Sequence, residues 1–152
     1  MKKLVVFIVT ILAFTGIATA GNIIAKEPVG FGAAPFVKFG DKLPDKMFLV
    51  KVEDNRKVYT SGDPATLYVF KDNKLSGGIV KVDSERQMLE MRESRVLQYG
   101  SYDVTKFAAN TPYGDDVMEY IWDFPKVKIV LTWDRKTTKG QFTYTYKPLE
   151  RR

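Results

Sequence analysis

Ser84-Glu85-Arg86-Gln87-Met88-Leu89-Glu90-Met91-Arg92-Glu93-Ser94-Arg95-Val96-Leu97-Gln98-Tyr99-Gly100 is the stretch on which the fold turns. Its apolar residues recur with the period of a helix, whereas period-two alternation dominates on both sides. Ser84 with Gln87 three positions on has the form of a capping box, in which the serine hydroxyl accepts from a first-turn N–H. Glu85 suits the positive end of the helix dipole, and Gly100 is placed to end the helix. At 100° per residue, Met88, Leu89, Met91, Val96 and Tyr99 fall on one arc about 160° wide, the face expected to bury. Arg92 and Arg95 point into the same arc. Their stems are expected to cover the core edge while the guanidinium groups reach out to water. The sharper alternative is that they mark an anion-binding face.

Upstream, Phe48, Val50 and Val52 alternate with Leu49, Lys51 and Glu53, and Asp54-Asn55 supplies turn chemistry before Lys57-Val58-Tyr59. Ser61-Gly62-Asp63-Pro64 breaks the chain. Thr66 to Lys71 and Leu75 to Val82 then read as a β-hairpin around Asp72-Asn73. Gly77-Gly78 inside its second strand marks a bulge or a close backbone approach. Downstream, Ser101 to Val117 shows no period and reads as a long loop, a length more often functional than that of short connections. Three strands follow. Glu119 to Asp123 carries Trp122, Val127 to Trp133 alternates in period two, and Phe142, Tyr144 and Tyr146 alternate after the turn from Asp134 to Gly140. Strands, one long helix and strands again predict an α+β fold: a meandering antiparallel sheet with the helix packed on one face.

Met1-Lys2-Lys3, an apolar run from Leu4 and the small-residue tail Ala18-Thr19-Ala20 have the three parts of a secretory signal peptide. The run is short for a bilayer core of about 20 residues. The expectation is therefore cleavage near Ala20 and a mature protein with no stable membrane anchor. Residues 1–20 are the signal, 21–46 an irregular lead-in and 47–152 a single α+β domain. In the lead-in Phe36, Val37 and Phe39 are the residues expected to tuck against the core. Gly30-Phe31-Gly32 resembles the start of a phosphate-cradling loop, but no strand precedes it and no helix follows, so it reads as a plain loop. The formal charge of +6 falls to +4 without Lys2 and Lys3. That mild, dispersed excess is a poor basis for nucleic-acid binding. Cysteine is absent, although an exported domain would be allowed disulfides. With the short signal, this points to a bacterial periplasm.

Phe39-Gly40-Asp41, Tyr68-Val69-Phe70-Lys71-Asp72-Asn73-Lys74-Leu75 and Tyr99-Gly100 carry a resemblance. So do Tyr120-Ile121-Trp122, Val130-Leu131-Thr132-Trp133 and Thr143-Tyr144-Thr145-Tyr146-Lys147. From Phe36 onward the chain resembles a broad group of uncharacterised bacterial periplasmic α+β proteins. That resemblance implies the fold and export, and it implies no activity. The chain departs from the group's usual pattern at Arg95, where an aliphatic residue is usual, and at Ser101-Tyr102, where a proline is.

Histidine and cysteine are both absent. Their absence removes Ser-His-Asp and Cys-His nucleophile systems and nearly all zinc and transition-metal sites. Asp115, Asp116 and Glu119 cluster, yet they lack the spacing and glycine of a calcium loop and read as a solvated acidic turn. No catalytic, cofactor-binding or metal-binding residue is assigned, and no cofactor is implied. Tyr102, Phe107 and Tyr113 stand outside regular elements and are the candidate partner-binding residues. The expected function is that of a non-enzymatic periplasmic binding or accessory protein. It would engage a periplasmic or envelope protein through the loop from Ser101 to Val117 or through an exposed sheet edge. The alternatives are a small carboxylate-dependent hydrolase and an inhibitor of a secreted enzyme.

Overall fold

The computed structural model describes residues 26–106 and 116–151. Eight strands form one antiparallel sheet. In chain order they are β3 (Phe48–Glu53), β4 (Arg56–Thr60), β5 (Thr66–Lys71), β6 (Lys74–Val82), β7 (Asp103–Lys106), β8 (Val117–Asp123), β9 (Val127–Asp134) and β10 (Lys139–Tyr146). Before them, β1 (Gly30–Phe31) and β2 (Val37–Lys38) make a separate two-stranded ribbon. Helix α1 (Glu85–Tyr99) joins β6 to β7, and a short helix α2 (Lys147–Glu150) follows β10. In space the sheet runs β3-β4-β5-β6-β10-β9-β8-β7. It is two four-stranded meanders fused where β6 meets β10. The α+β expectation stands, with a second, short helix added to it.

Local chemistry accounts for the turns. Asp72 and Asn73 both sit at positive φ, 52° and 59°, which is the two-residue hairpin turn that Asp and Asn tolerate best. Asp63 closes the break before β5: its carboxylate accepts from the Ala65 N–H at 2.9 Å and the Thr66 hydroxyl at 2.7 Å. Those bonds hold its pKa below the usual carboxylate value, the Thr66 bond being the larger cause.

One face of the sheet carries the core. Tyr68 and Phe70 of β5, Leu75 and Val82 of β6, and Phe142 and Tyr144 of β10 are buried there. Ile129, Leu131 and Trp133 of β9 and Tyr120 and Trp122 of β8 complete the layer. The register aligns them in rows, for example Tyr120 beside Leu131, Leu131 beside Phe142 and Phe142 beside Val80. The hairpin of β5 and β6 contains the expected irregularity. Val69 pairs with Gly77 and Phe70 with Leu75, so Ser76 is the extra residue. Its hydroxyl, buried with it, donates to the Val69 carbonyl at 3.1 Å. The glycines beside it provide the close approach: a Cβ on Gly77 would lie 2.3 Å from the Tyr144 carbonyl oxygen.

The lead-in packs differently from expectation. Val37 is buried and Phe39 stacks on Tyr146 with centroids 5.4 Å apart, but Phe36 is 53% exposed. The buried ring is Phe31, seated on the core face between Tyr68 and Tyr144. The Tyr68 hydroxyl donates to the Pro35 carbonyl at 2.7 Å and pins the ribbon to β5. Glu27 caps the β8–β9 turn by accepting from the N–H groups of Lys126 and Val127, at 2.6 and 2.9 Å.

The stretch read as a long loop, Ser101 to Val117, holds a strand at its start and the first residue of β8 at its end, and its residues 107–115 lie outside the described residues. Asp103–Lys106 is strand β7, paired to β8 from Asp103 beside Ile121 to Lys106 beside Met118. The predicted signal at residues 1–20 lies outside the described residues. Among the described residues, no helix is long and apolar enough to cross a membrane.

Candidate functional site

Helix α1 is held at both ends. The Ser84 hydroxyl accepts from the Gln87 N–H at 3.2 Å, while Gln87 Oε1 accepts from the Asp83 N–H at 3.0 Å, one residue before the cap. At the far end Gly100, at φ 83°, donates its N–H to the Val96 carbonyl at 2.9 Å. The Trp122 indole N–H donates to the Gly100 carbonyl at 2.9 Å and ties the helix end to β8.

Between these anchors the helix presents a narrower apolar face than its sequence arc. Met88 is buried, and Met91 and Tyr99 pack against the core, but Leu89 and Val96 are exposed. Arg92 and Arg95, both half-buried, fill the remaining seam, and their guanidinium groups lie over aromatic rings of the sheet where a reach into water was expected. The Arg92 guanidinium carbon sits 5.1 Å from the Tyr120 ring centroid and 5.8 Å from that of Tyr102. That of Arg95 sits 5.3 Å from the Phe142 centroid. A planar, weakly hydrated cation can rest on aromatic faces where an aliphatic side chain would otherwise go.

Arg95 also lines a cavity of about 370 Å³ between α1, the β1–β2 ribbon and the core face of the sheet. Phe31, Ala33, Phe36 and Val80 form its apolar wall, with Thr66, Gln98, Tyr99 and Tyr144 as polar neighbours. Arg95 Nε donates to the Tyr144 hydroxyl at 2.7 Å. Burial pushes the Tyr144 phenol above its ordinary pKa, opposed by the Arg95 charge. Burial does the same to Tyr99, again opposed by Arg95. Both phenols are therefore neutral donors at pH 7. Among the described residues, no Asp or Glu lines the cavity.

A second feature lies at the end of the sheet. On its outer side β3 pairs with no strand among the described residues, and all six of its residues are exposed. Phe48, Leu49, Val50 and Val52 are each more than half exposed. The register slips between Leu49 and Lys51, leaving Val50 as a bulge. Lys51 and Glu53 pair with each other at 2.7 Å. A bulge and charges are ways of blunting an edge, but four large apolar side chains on one edge work against them.

Of the three partner-binding candidates, Tyr102 is half-buried. Its ring meets Tyr120 and Trp122 edge-on, with centroids 5.1 and 5.2 Å away. Phe107 and Tyr113 lie outside the described residues, as does Asp115. Asp116 pairs with Arg135 at 3.6 Å. Among the described residues, no three carboxylates gather as metal ligands would. Glu53 and Glu150 share the wall of a smaller cavity on the opposite face of the sheet. Each is tied to its own cation, Glu53 to Lys51 and Glu150 to Arg56.

The sequence arc signalled two arginines inside an apolar face but not that they would line a cavity. It gave no sign that Phe36 would stand at the cavity wall. Comparison with protein-family models, with curated proteins and with solved structures finds no match to this chain.

Proposed function

We propose that this chain is a non-enzymatic periplasmic binding or accessory protein that engages an extended segment of a partner polypeptide along the free edge of β3. The observation that carries this reading is the edge itself: backbone that pairs with no further strand among the described residues, flanked on both faces by exposed Phe48, Leu49, Val50 and Val52. An added strand would satisfy the backbone groups by hydrogen bonding and cover the apolar side chains, so the affinity and the register come from different parts of the same surface. The occupant is accordingly an extended, alternately apolar segment. Tyr102, whose ring is committed to Tyr120 and Trp122, contributes less to such a surface than the edge does.

A photo-crosslinking residue placed at Val50 in living cells tests this. The expected result is a discrete protein adduct that disappears in the Leu49→Lys/Val52→Lys variant. Both positions are exposed, so each substitution should change stability by about 0.5 kcal/mol or less. An unaltered adduct in that variant, or none from wild type, would overturn the reading. Location is checked separately: intact mass of the protein released by osmotic shock should begin at Gly21. Retention of Met1 on a membrane-bound species would refute export and cleavage without touching the edge.

A further inference from the structure

Taking a cation even halfway out of water without a counter-charge is unfavourable, and a half-buried arginine such as Arg95 is usually met by a carboxylate. Arg95 breaks this pattern. Its Nε–H is used by Tyr144 and its plane rests near Phe142, but no carboxylate pairs with it among the described residues. The last turn of the helix carries no basic residue, so Arg95 stands outside the reach of the helix dipole's negative pole. Beside it lies a cavity of about 370 Å³, within the range of small-molecule sites of about 300–1,000 Å³.

The lining specifies the occupant. Among the described residues, Arg95 is the one formally charged residue that lines it. A single negative charge would neutralise it, whereas a dianion would carry surplus charge into a half-buried site. The guanidinium fork matches the two oxygens of a carboxylate. Tyr144 already accepts from Arg95, so its own hydroxyl proton is available to donate. Tyr99 adds a second phenol. Opposite them stand Phe31, Ala33 and Val80, with the exposed ring of Phe36 at the cavity wall, a surface for a hydrocarbon or aryl body.

We infer that the cavity bounded by α1, the β1–β2 ribbon and the sheet binds a small organic monocarboxylate, its carboxylate on Arg95 and its apolar body against Phe31 and Phe36. This site is separate from the β3 edge and stands or falls without it.

The test is titration calorimetry on the exported, folded chain with benzoate, octanoate, inorganic phosphate and the neutral amides benzamide and octanamide. At least one carboxylate should bind saturably and at least tenfold more tightly than its amide or phosphate. Arg95→Met should remove that preference, with loss of at least tenfold in affinity. Ala33→Phe, which leaves Arg95 in place and fills the cavity from an exposed position, should abolish binding as well. It keeps the inference testable if Arg95→Met does not fold. Equal binding of carboxylate and amide, phosphate binding as tight as carboxylate, undiminished binding by Ala33→Phe, or no binding at millimolar concentration would each overturn it.

Discussion

Phe31 fills the space that a side chain on Gly78 would need: a Cβ there would come within 2.3 Å of the Phe31 ring. The glycine is thus a socket for an aromatic ring delivered by the lead-in. Gly78→Ala should destabilise the protein by about 1–3 kcal/mol through overpacking. Phe31→Ala should cost about 3–5 kcal/mol as a buried large-to-small change. In the Phe31→Ala background the added methyl should cost much less, because the ring it strikes is gone. Chemical denaturation of the four proteins checks this, and additive losses would contradict the contact.

The helix face can be tested residue by residue. Met88→Ala should cost about 2–5 kcal/mol, whereas Leu97→Ala, at an exposed position, should cost about 0.5 kcal/mol or less. Arg92→Ala should fall between them, at about 0.5–2 kcal/mol, since it removes a cation from the rings of Tyr120 and Tyr102. Thermal melts giving Arg92→Ala the same value as Leu97→Ala would mean that the guanidinium faces water after all.

Trp122→Phe keeps a ring in the core but removes the donor to the Gly100 carbonyl. The cost should be about 1–3 kcal/mol, the penalty for an acceptor left without its partner. Hydrogen exchange should quicken most in the last turn of α1, next to the lost bond. Uniform quickening across the sheet would point to packing alone.

Alkaline pH should expose the buried phenols. An unfolded tyrosine titrates near 10, and burial raises Tyr144 above that value. Across the interval between the two values the unfolded chain has released a proton that the folded one keeps. The stability is complete below about pH 10 and is lost as pH rises through the folded value. Melting temperature should therefore fall less steeply above pH 10 in Tyr144→Phe than in wild type, with Tyr99 and Tyr68, both also raised by burial, supplying a residual slope. Parallel curves would show that Tyr144 is not desolvated.

What was legible in the sequence was local. Ser84, Gln87 and Gly100 located α1 because caps involve neighbours, and Asp72-Asn73 located a hairpin because a two-residue turn leaves the strands nowhere else to go. Strand β7 was missed because Val104 is the only apolar residue among Asp103, Thr105 and Lys106, and a short edge strand needs no more. The buried face of α1 was drawn too broadly because period alone cannot show that Tyr120 and Phe142 offer rings to Arg92 and Arg95. The seating of Phe31 in place of Phe36 depended on Gly78, a partner far along the chain. Arg95 was visible as an oddity inside an apolar arc. Its cavity was not, since three separate segments of chain enclose it.

The fusion of the two meanders at β6 and β10 sets an order of events in time. β3 to β6 can pair as soon as they leave the machinery that makes or moves the chain, because each neighbours the next in sequence. β6, nine residues long, then has an open flank until β10 arrives, the last strand of the sheet. During that wait an unpaired strand edge is presented to whatever is nearby. Closing the gap late, across a long intervening segment, makes for a slow step. A chain cut short before Lys139 would never close it. The same ladder that makes one sheet of two halves thus acts as the clasp that engages last.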